Sequence, residues 1–325
     1  MIRLLIASVL AALLSIGSAG AQDFPTRPVT IIVPFPAGGP TDTLARILGD
    51  HMKGSLAQTV IVENVTGAGA TIGVGRAIGA APDGHTLSIG NWTSHVGTGA
   101  LYPVHWHVLR DLEPVAPLSV SSLLVIGKTG LPTNNVKELI AWLKTNGDKA
   151  TMAHVGAGSG AHICGLYFLE KTGTKAQFVP YRGGAPAIQD LIAGQIDLFC
   201  AEASQTLAHV RSGKIKAFVT MSNARYPALP DIPTMAEAGV QQAEISFWHG
   251  LWAPKNTPKP IIAKLNSAVV AAFADENVRK RITDLGQTIP ERNALTPEAL
   301  AAYHKAEIDK WWPIIKAANI KLEQN

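Results

Sequence analysis

Short apolar runs alternate with amphipathic stretches through most of the chain. Residues 29–33, 59–63 and 86–89 are rich in aliphatic and β-branched side chains and have the length of strands. Between the first two, Leu44, Ile47, Leu48 and Met52 recur at helical spacing. The same alternation resumes with strands at 123–126, 151–155, 178–181, 196–200 and 217–221, and with a helix whose apolar face is Val136, Leu139, Ile140 and Leu143. Residues 247–253 read as an extended return, and the pattern from 260 to about 320 is almost wholly helical. Strands that alternate with helices predict an α/β fold of mainly parallel sheet. One α/β set, then a second, then a return to helices predicts two lobes. Residues 22–126 with 246–325 would form the first and 127–245 the second, with crossings near 126 and 246. Folds of this kind place ligands in the cleft, beside the carboxyl ends of parallel strands.

The N-terminus sets the compartment. After Arg3, residues 4–16 are uncharged and apolar, and Ala19-Gly20-Ala21 fits the small-x-small rule for cleavage. This predicts a secretory signal over residues 1–21 and an exported, soluble, periplasmic chain. The rival is an uncleaved anchor, but a hydrocarbon core needs about 20 apolar residues. In an oxidising compartment Cys164 and Cys200 form either one disulfide or two buried thiols. Lys and Arg number 28 against 24 Asp and Glu, so the formal charge of +4 is too small to make nucleic acid the main partner. Glycines and prolines are scattered without a period, which excludes collagen-like architecture.

Four glycine-rich strand-to-helix turns are candidates for ligand contact: residues 34–43, 66–73, 156–162 and 181–186. Amide groups at a helix start are unbonded and the dipole there is positive, so such a turn accepts a carboxylate or phosphate without a cationic side chain. In the first turn Thr41-Asp42-Thr43 offers a helix cap. If Asp42 faced the cleft instead, it would favour a cation. No turn carries the Gly-Lys-Ser/Thr ending of a phosphate-binding loop, and the spacing of Gly67, Gly69 and Gly73 departs from the dinucleotide pattern. Gly158-Ser159-Gly160 lacks the spacing of a nucleophile elbow. His105-Trp106-His107 would share one strand face in alternation but has no third metal ligand. No cofactor or metal is therefore expected. Arg182 could form a bidentate pair with a ligand carboxylate, and Phe35, Trp92 and Tyr181, at strand ends, could wall it.

Several blocks together resemble the tripartite tricarboxylate transporter substrate-binding proteins, also called Bug receptors. They are residues 28–35 with 37–42, Gly67-Ala68-Gly69, 81–87, 179–186, 230–239, 250–254, and Lys321 with the preceding 317–320. They follow the family's usual order across nearly the whole chain. The resemblance implies a monomeric two-lobed receptor of the type II periplasmic binding protein fold, with its ligand cleft between the lobes. It would close on a small organic carboxylate and deliver it to a permease of one large and one small subunit. It implies ligand contacts from Phe35, Ala37, Gly38, Gly39, Thr41 and Asp42, from Thr93 and Ser94, from Ser159 and His162, and from Tyr181, Arg182 and Gly183. Ala201 and Ser204 would complete the set. Thr66 replaces a usual proline, Ala201-Glu202 stands where an aspartate is common at the first position, and Trp92 and His95 flank a loop that commonly carries smaller residues. Ligand identity therefore does not carry over. The rival readings are a periplasmic sensor for a signalling partner, and an enzyme using Ser159, His162 or Arg182, for which no acid–base constellation is visible.

Overall fold

The computed structural model describes residues 24–240, 244, 245 and 247–317. The predicted signal, residue 246 and the 318–321 part of the C-terminal signature lie outside the described residues. In the first lobe β1 (Val29–Val33) runs parallel to β2 (Val60–Asn64) on one side and β3 (Thr86–Asn91) on the other. Strands β4 (Leu112–Ser121), β10 (Phe247–Pro254) and β11 (Gln287–Thr288) extend the sheet antiparallel, giving the order β11-β4-β10-β3-β1-β2. The second lobe holds β5 (Leu123–Lys128), β6 (Thr151–His154), β7 (Gln177–Pro180), β8 (Leu198–Glu202) and β9 (Ile215–Thr220), ordered β7-β6-β8-β5-β9.

Both sheets are thus mixed, and the expectation of mainly parallel sheet is corrected: β10 and β5 each run antiparallel to both neighbours. Each is a strand that a crossing chain adds to its sheet. The first crossing falls at Ser122, between β4 and β5, four residues before the predicted point. The apolar run at 123–126 already pairs with β8 and β9. Strand β4 itself escaped the pattern because Pro114 and Pro117 interrupt it. The sheet absorbs them with register shifts against β10 at those two places.

Period-two alternation then distributes the core. In β5, Leu123 and Val125 face one layer, while Leu124 and Ile126 face the other. The first layer is closed by α3 (Val136–Asn146) and α4 (Gly160–Thr172), the second by α5 (Gly184–Ile192) and α6 (Ala203–Arg211). In the first lobe α1 (Pro40–Leu56), α7 (Lys259–Ala274) and α8 (Glu276–Asp284) pack Leu48, Val269 and Ile282 against Ile31. Helices α2 (Thr71–Ile78) and α9 (Pro297–Ala317) cover its other face with Val74 and Trp311. The long helical C-terminal pattern is therefore three helices with the short β11 between the last two. The 105–107 segment is irregular rather than a strand, and His107 Nδ1 accepts from Leu109 N–H as a cap. One apolar cluster runs from Trp92, Val96 and Trp311 of the first lobe to Ile163 and Phe168 of the second.

Cys164 of α4 and Cys200 of β8 are joined by a disulfide, with 6.1 Å between their Cα atoms and a sequence separation of 36. It fastens the helix to the central part of the second sheet. In the chain-entropy account a loop of this length is worth about 4 kcal/mol. Replacing both cysteines by alanine should lower the denaturation midpoint accordingly, and thiol titration of the unreduced, unfolded wild-type protein should find no free thiol. Two titratable thiols would show that the bridge is not formed.

Candidate functional site

Each predicted turn follows a parallel strand: 34–43 follows β1, 66–73 follows β2, 156–162 follows β6 and 181–186 follows β7. After Val33 the chain turns through Gly38, whose φ of +80° strongly favours glycine. Helix α1 begins at Pro40 with Gly39 as its cap, so Thr41-Asp42-Thr43 form the first turn rather than the cap. Proline's fixed φ pre-sets that start. The first helical bond runs from Thr43 N–H to Gly39 O at 2.9 Å, leaving the amides of Thr41 and Asp42 without a carbonyl in the helix. Phe35 is half-buried and Ala37 exposed.

Asp42 is committed within the first lobe. Its carboxylate accepts from Gly38 N–H at 2.8 Å, Arg46 Nε at 3.0 Å and Asn64 Nδ2 at 2.9 Å. Burial pushes its carboxyl up, but the bonds from Arg46, Gly38 and Asn64 outweigh this and hold it below the usual range. Its negative charge is therefore compensated locally. Asn64 Nδ2 also donates to Phe35 O at 3.0 Å, pinning the loop.

Thr93 and Ser94 open a single π-helical turn over Thr93–Gly97, and they diverge in role. Ser94 is fully buried, with its hydroxyl on Asn91 O and beside His95 Nδ1 at 2.9 Å. Thr93 Oγ1 accepts from Gly160 N–H at 2.8 Å, a bond from the first lobe to the start of α4 in the second. That helix begins two residues earlier than the pattern suggested, with Ser159 as its cap and Ser159 Oγ accepting from His162 N–H at 3.2 Å. Gly158, at φ +75°, lies so close to Leu101 that a Cβ would collide with it, so a glycine lets the lobes approach here. His162 Nδ1 accepts from Gly158 N–H at 3.0 Å, and its ring stacks on His154 at 4.5 Å.

The fourth turn is less enclosed than the third. Gly183 caps α5 with no side-chain bond to the helix, and Arg182 is exposed, without a side-chain hydrogen bond or ion pair among the described residues. Tyr181 turns away to donate to Asp190 Oδ2 at 2.7 Å, and burial with that carboxylate pushes its hydroxyl up to about 12. Ala201 is buried in the layer beneath α5 and α6, and the Ser204 hydroxyl faces the Glu202 carboxyl.

Sequence reasoning missed a row of polar side chains that crosses the first sheet. Asn91 Nδ2 donates to Thr41 Oγ1 at 3.2 Å, and Thr41 Oγ1 lies 3.1 Å from His249 Nε2. His249 Nδ1 is 3.4 Å from Ser119 Oγ, which donates to Gln287 Oε1 at 2.7 Å. Gln287 Nε2 reaches Glu202 Oε1 in the other lobe at 3.4 Å. All six are buried. The available signal was a polar residue inside an otherwise apolar strand, as His249 is in β10. A surface hollow lined by Val108, Trp252, His304 and Lys305 lies at the opposite end of β4, away from the cleft. Among the described residues no group of three or more His, Cys, Asp or Glu is placed to hold a metal ion, and no helix is long and apolar enough to cross a membrane.

The sequence model of the tripartite tricarboxylate transporter family receptors matches residues 44–320. A UPF0065 protein from the TAR-I ttuE-ttuC' intergenic region of Agrobacterium vitis is 37% identical over 305 residues, covering 92% of this chain and 87% of that protein. The solved structure of the periplasmic binding protein BugD is 38% identical with a TM-score of 0.85, covering 92% of this chain and all of that one. MatC from Rhodopseudomonas palustris with bound malate is 38% identical with a TM-score of 0.84, covering 90% of this chain and all of that one.

The buried histidines give the protein an acid limit. Burial pushes His249 down to about 3 and His304 to about 4, holds His95 well below its ordinary value, and with neighbouring His154 brings His162 to about 4. Each is neutral when folded but takes a proton below about pH 6.5 when unfolded, so its stabilising effect is present above 6.5 and is lost as pH falls toward 4. Glu202 and Glu307, whose carboxyls burial pushes up, act in the opposite sense as pH falls, so the histidine effect is read as a difference between variants. His162→Asn, which keeps an acceptor for Gly158, should gain thermal midpoint relative to wild type as pH falls from 7 to 4.5; a difference between the two that does not change with pH would refute the assignment.

Proposed function

The chain belongs to the tripartite tricarboxylate transporter receptor family of periplasmic solute-binding proteins, and from that premise we propose that it captures a small organic carboxylate between its lobes. The closed receptor presents the ligand to a membrane permease of one large and one small subunit. It acts as a monomer in the periplasm after residues 1–21 are removed. The two lobes, one carrying β1–β4, β10 and β11 and the other β5–β9, close about the crossings between them.

The observation that carries this reading is a matched pair of helix starts. Helices α1 and α5, one in each lobe, both begin without a side-chain cap, and exposed Arg182 stands beside the second. Two such starts suit an anion held from both sides. In this reading Phe35, Ala37, Gly38, Gly39 and Thr41 contact the ligand from the first lobe, and Ser159, His162, Arg182 and Gly183 from the second. Thr93 ties the lobes together around it. The malate in MatC is a ligand of the same chemical class.

A thermal-shift screen tests the reading. Mature protein, unfolded and refolded to strip carried-over ligand, is heated with mono-, di- and tricarboxylates, aromatic acids and acidic amino acids. A ligand at 1,000 times its Kd adds about 4 kcal/mol, a shift of several degrees. Arg182→Ala and Ser159→Ala should each weaken the best hit by about 1–3 kcal/mol in calorimetry. A panel without any shift would overturn the carboxylate reading, and unchanged affinity would remove the residue concerned from the site.

A further inference from the structure

The buried row that ends at Glu202 has a direction. Ser119 Oγ donates its single proton to Gln287 Oε1, so it can only accept from His249 Nδ1. His249 is then protonated on Nδ1, and its Nε2 accepts the Thr41 proton. Thr41 in turn accepts from Asn91 Nδ2. At the far end, with Gln287 Oε1 taken by Ser119, the amide nitrogen is the atom turned to Glu202. Every group gives and takes in one sense, and the last acceptor is a carboxyl group. The row follows the sheet order from α1 through β3, β10, β4 and β11, where His249 pairs with both Asn91 and Ser119. It then leaves the first lobe altogether.

We propose that Glu202 is a positioning residue for the binding cleft: from the second lobe it terminates, through Gln287, the hydrogen-bond row that orients the Thr41 hydroxyl at the head of α1. The proposal rests on the receptor reading above, which gives the orientation of Thr41 its purpose. The arrangement of the first binding loop is thereby coupled to the position of the other lobe, because the Gln287–Glu202 link crosses the hinge beside Ser121 and Ser122. An ionised Glu202 only accepts, so Gln287 must present its nitrogen. A protonated Glu202 brings a donor of its own and removes that demand. The groups facing the carboxyl are Ser121 of β4, Ser204 of α6 and Gln287 of β11, with Tyr226, titratable, from the segment after β9. Burial, against the pull of Ser121, Ser204 and Gln287, pushes the Glu202 carboxyl up to about 7. The orientation of the row is therefore sensitive to pH in the neutral range.

The test has two arms on the mature protein. Long-range proton–nitrogen NMR at pH 8 reads which ring nitrogen of His249 carries the proton. The expected result is Nδ1 in the wild type and a mixture in Ser119→Ala. A proton on Nε2 in the wild type overturns the proposal whether or not any ligand binds. In the second arm L-malate and adipate are titrated calorimetrically between pH 5.5 and 8.5. For whichever acid binds, Glu202→Ala should weaken affinity about tenfold or more, while Glu202→Gln stays within about threefold of wild type at pH 8 and loses the wild-type pH dependence. Gln287→Leu cuts the row from the first lobe and serves should Glu202→Ala fail to fold. Unchanged affinity in the folded variants overturns the proposal. Binding of neither acid by the wild type counts against the receptor reading for those acids, while the His249 proton still decides the row.

Discussion

A helix that opens onto the cleft starts with amide groups that it cannot bond itself, and the way each start is answered organises the molecule. At α4 the answers come from within: Ser159 caps the helix, and Thr93 of the other lobe takes the Gly160 proton at 2.8 Å. That second bond exists only when the lobes are together. Around it the contact is apolar and close, with Gly158 under Leu101, Phe247 against Gly160, and Trp311 meeting Tyr167 edge-on at 5.5 Å. A glycine at the first two of these approaches, Gly158 and Gly160, is therefore a condition of the lobe arrangement. At α1 and α5 no side chain performs the capping role.

Charge around the cleft follows the same economy. A buried cation would cost several kcal/mol in desolvation, and burial disfavours one at His95, His162, His249 and His304 by pushing each below its ordinary value. His95 stacks flat on Trp252 at 3.9 Å and its carbonyl accepts from His304 Nε2 at 2.6 Å, an arrangement that packs an imidazole as an aromatic ring. Asp42 is compensated by Arg46, an ion pair internal to one lobe. The uncapped starts of α1 and α5 and the exposed charge of Arg182 add positive potential without a buried cation. In the proposed reading these attract an anion without the penalty of an unpaired buried charge.

The fold was legible where local chemistry decides it. Short apolar runs in β1, β5 and β8, and the proline and glycines that start α1, specify elements from a few adjacent residues. Legibility failed where the partner strand decides. Pro114 and Pro117 disqualify β4 on local grounds, yet pairing with β10 over eight residues tolerates them through two register shifts. The antiparallel sense of β10 and β5 is likewise a property of the whole sheet. The glycine turns were legible as strand-to-helix connections, because such a helix start is written in a few residues. The polar row was not: Asn91, His249 and Gln287 are far apart in sequence and meet only because β3, β10, β4 and β11 lie in that order.

The roles of the predicted contacts also separate on physical grounds. Tyr181 and Ser94 have the sequence positions of ligand contacts, but the first is bonded to Asp190 and the second is enclosed with Asn91 and His95. Recruiting Ser94 to a ligand would leave buried groups around Asn91 and His95 unsatisfied, at a cost of about 1–3 kcal/mol, and recruiting Tyr181 would break its bond to Asp190. Backbone amides, for their part, register a carboxylate without registering what carries it. Discrimination among acids therefore falls to side chains whose rearrangement leaves no buried group orphaned. In the proposed reading Phe35 supplies apolar surface, Arg182 a second site for negative charge, and Thr41 a hydroxyl whose direction is set from across the sheet. Of these three only Thr41 is joined to the opposite lobe by the row, and in that reading it makes selectivity depend on closure.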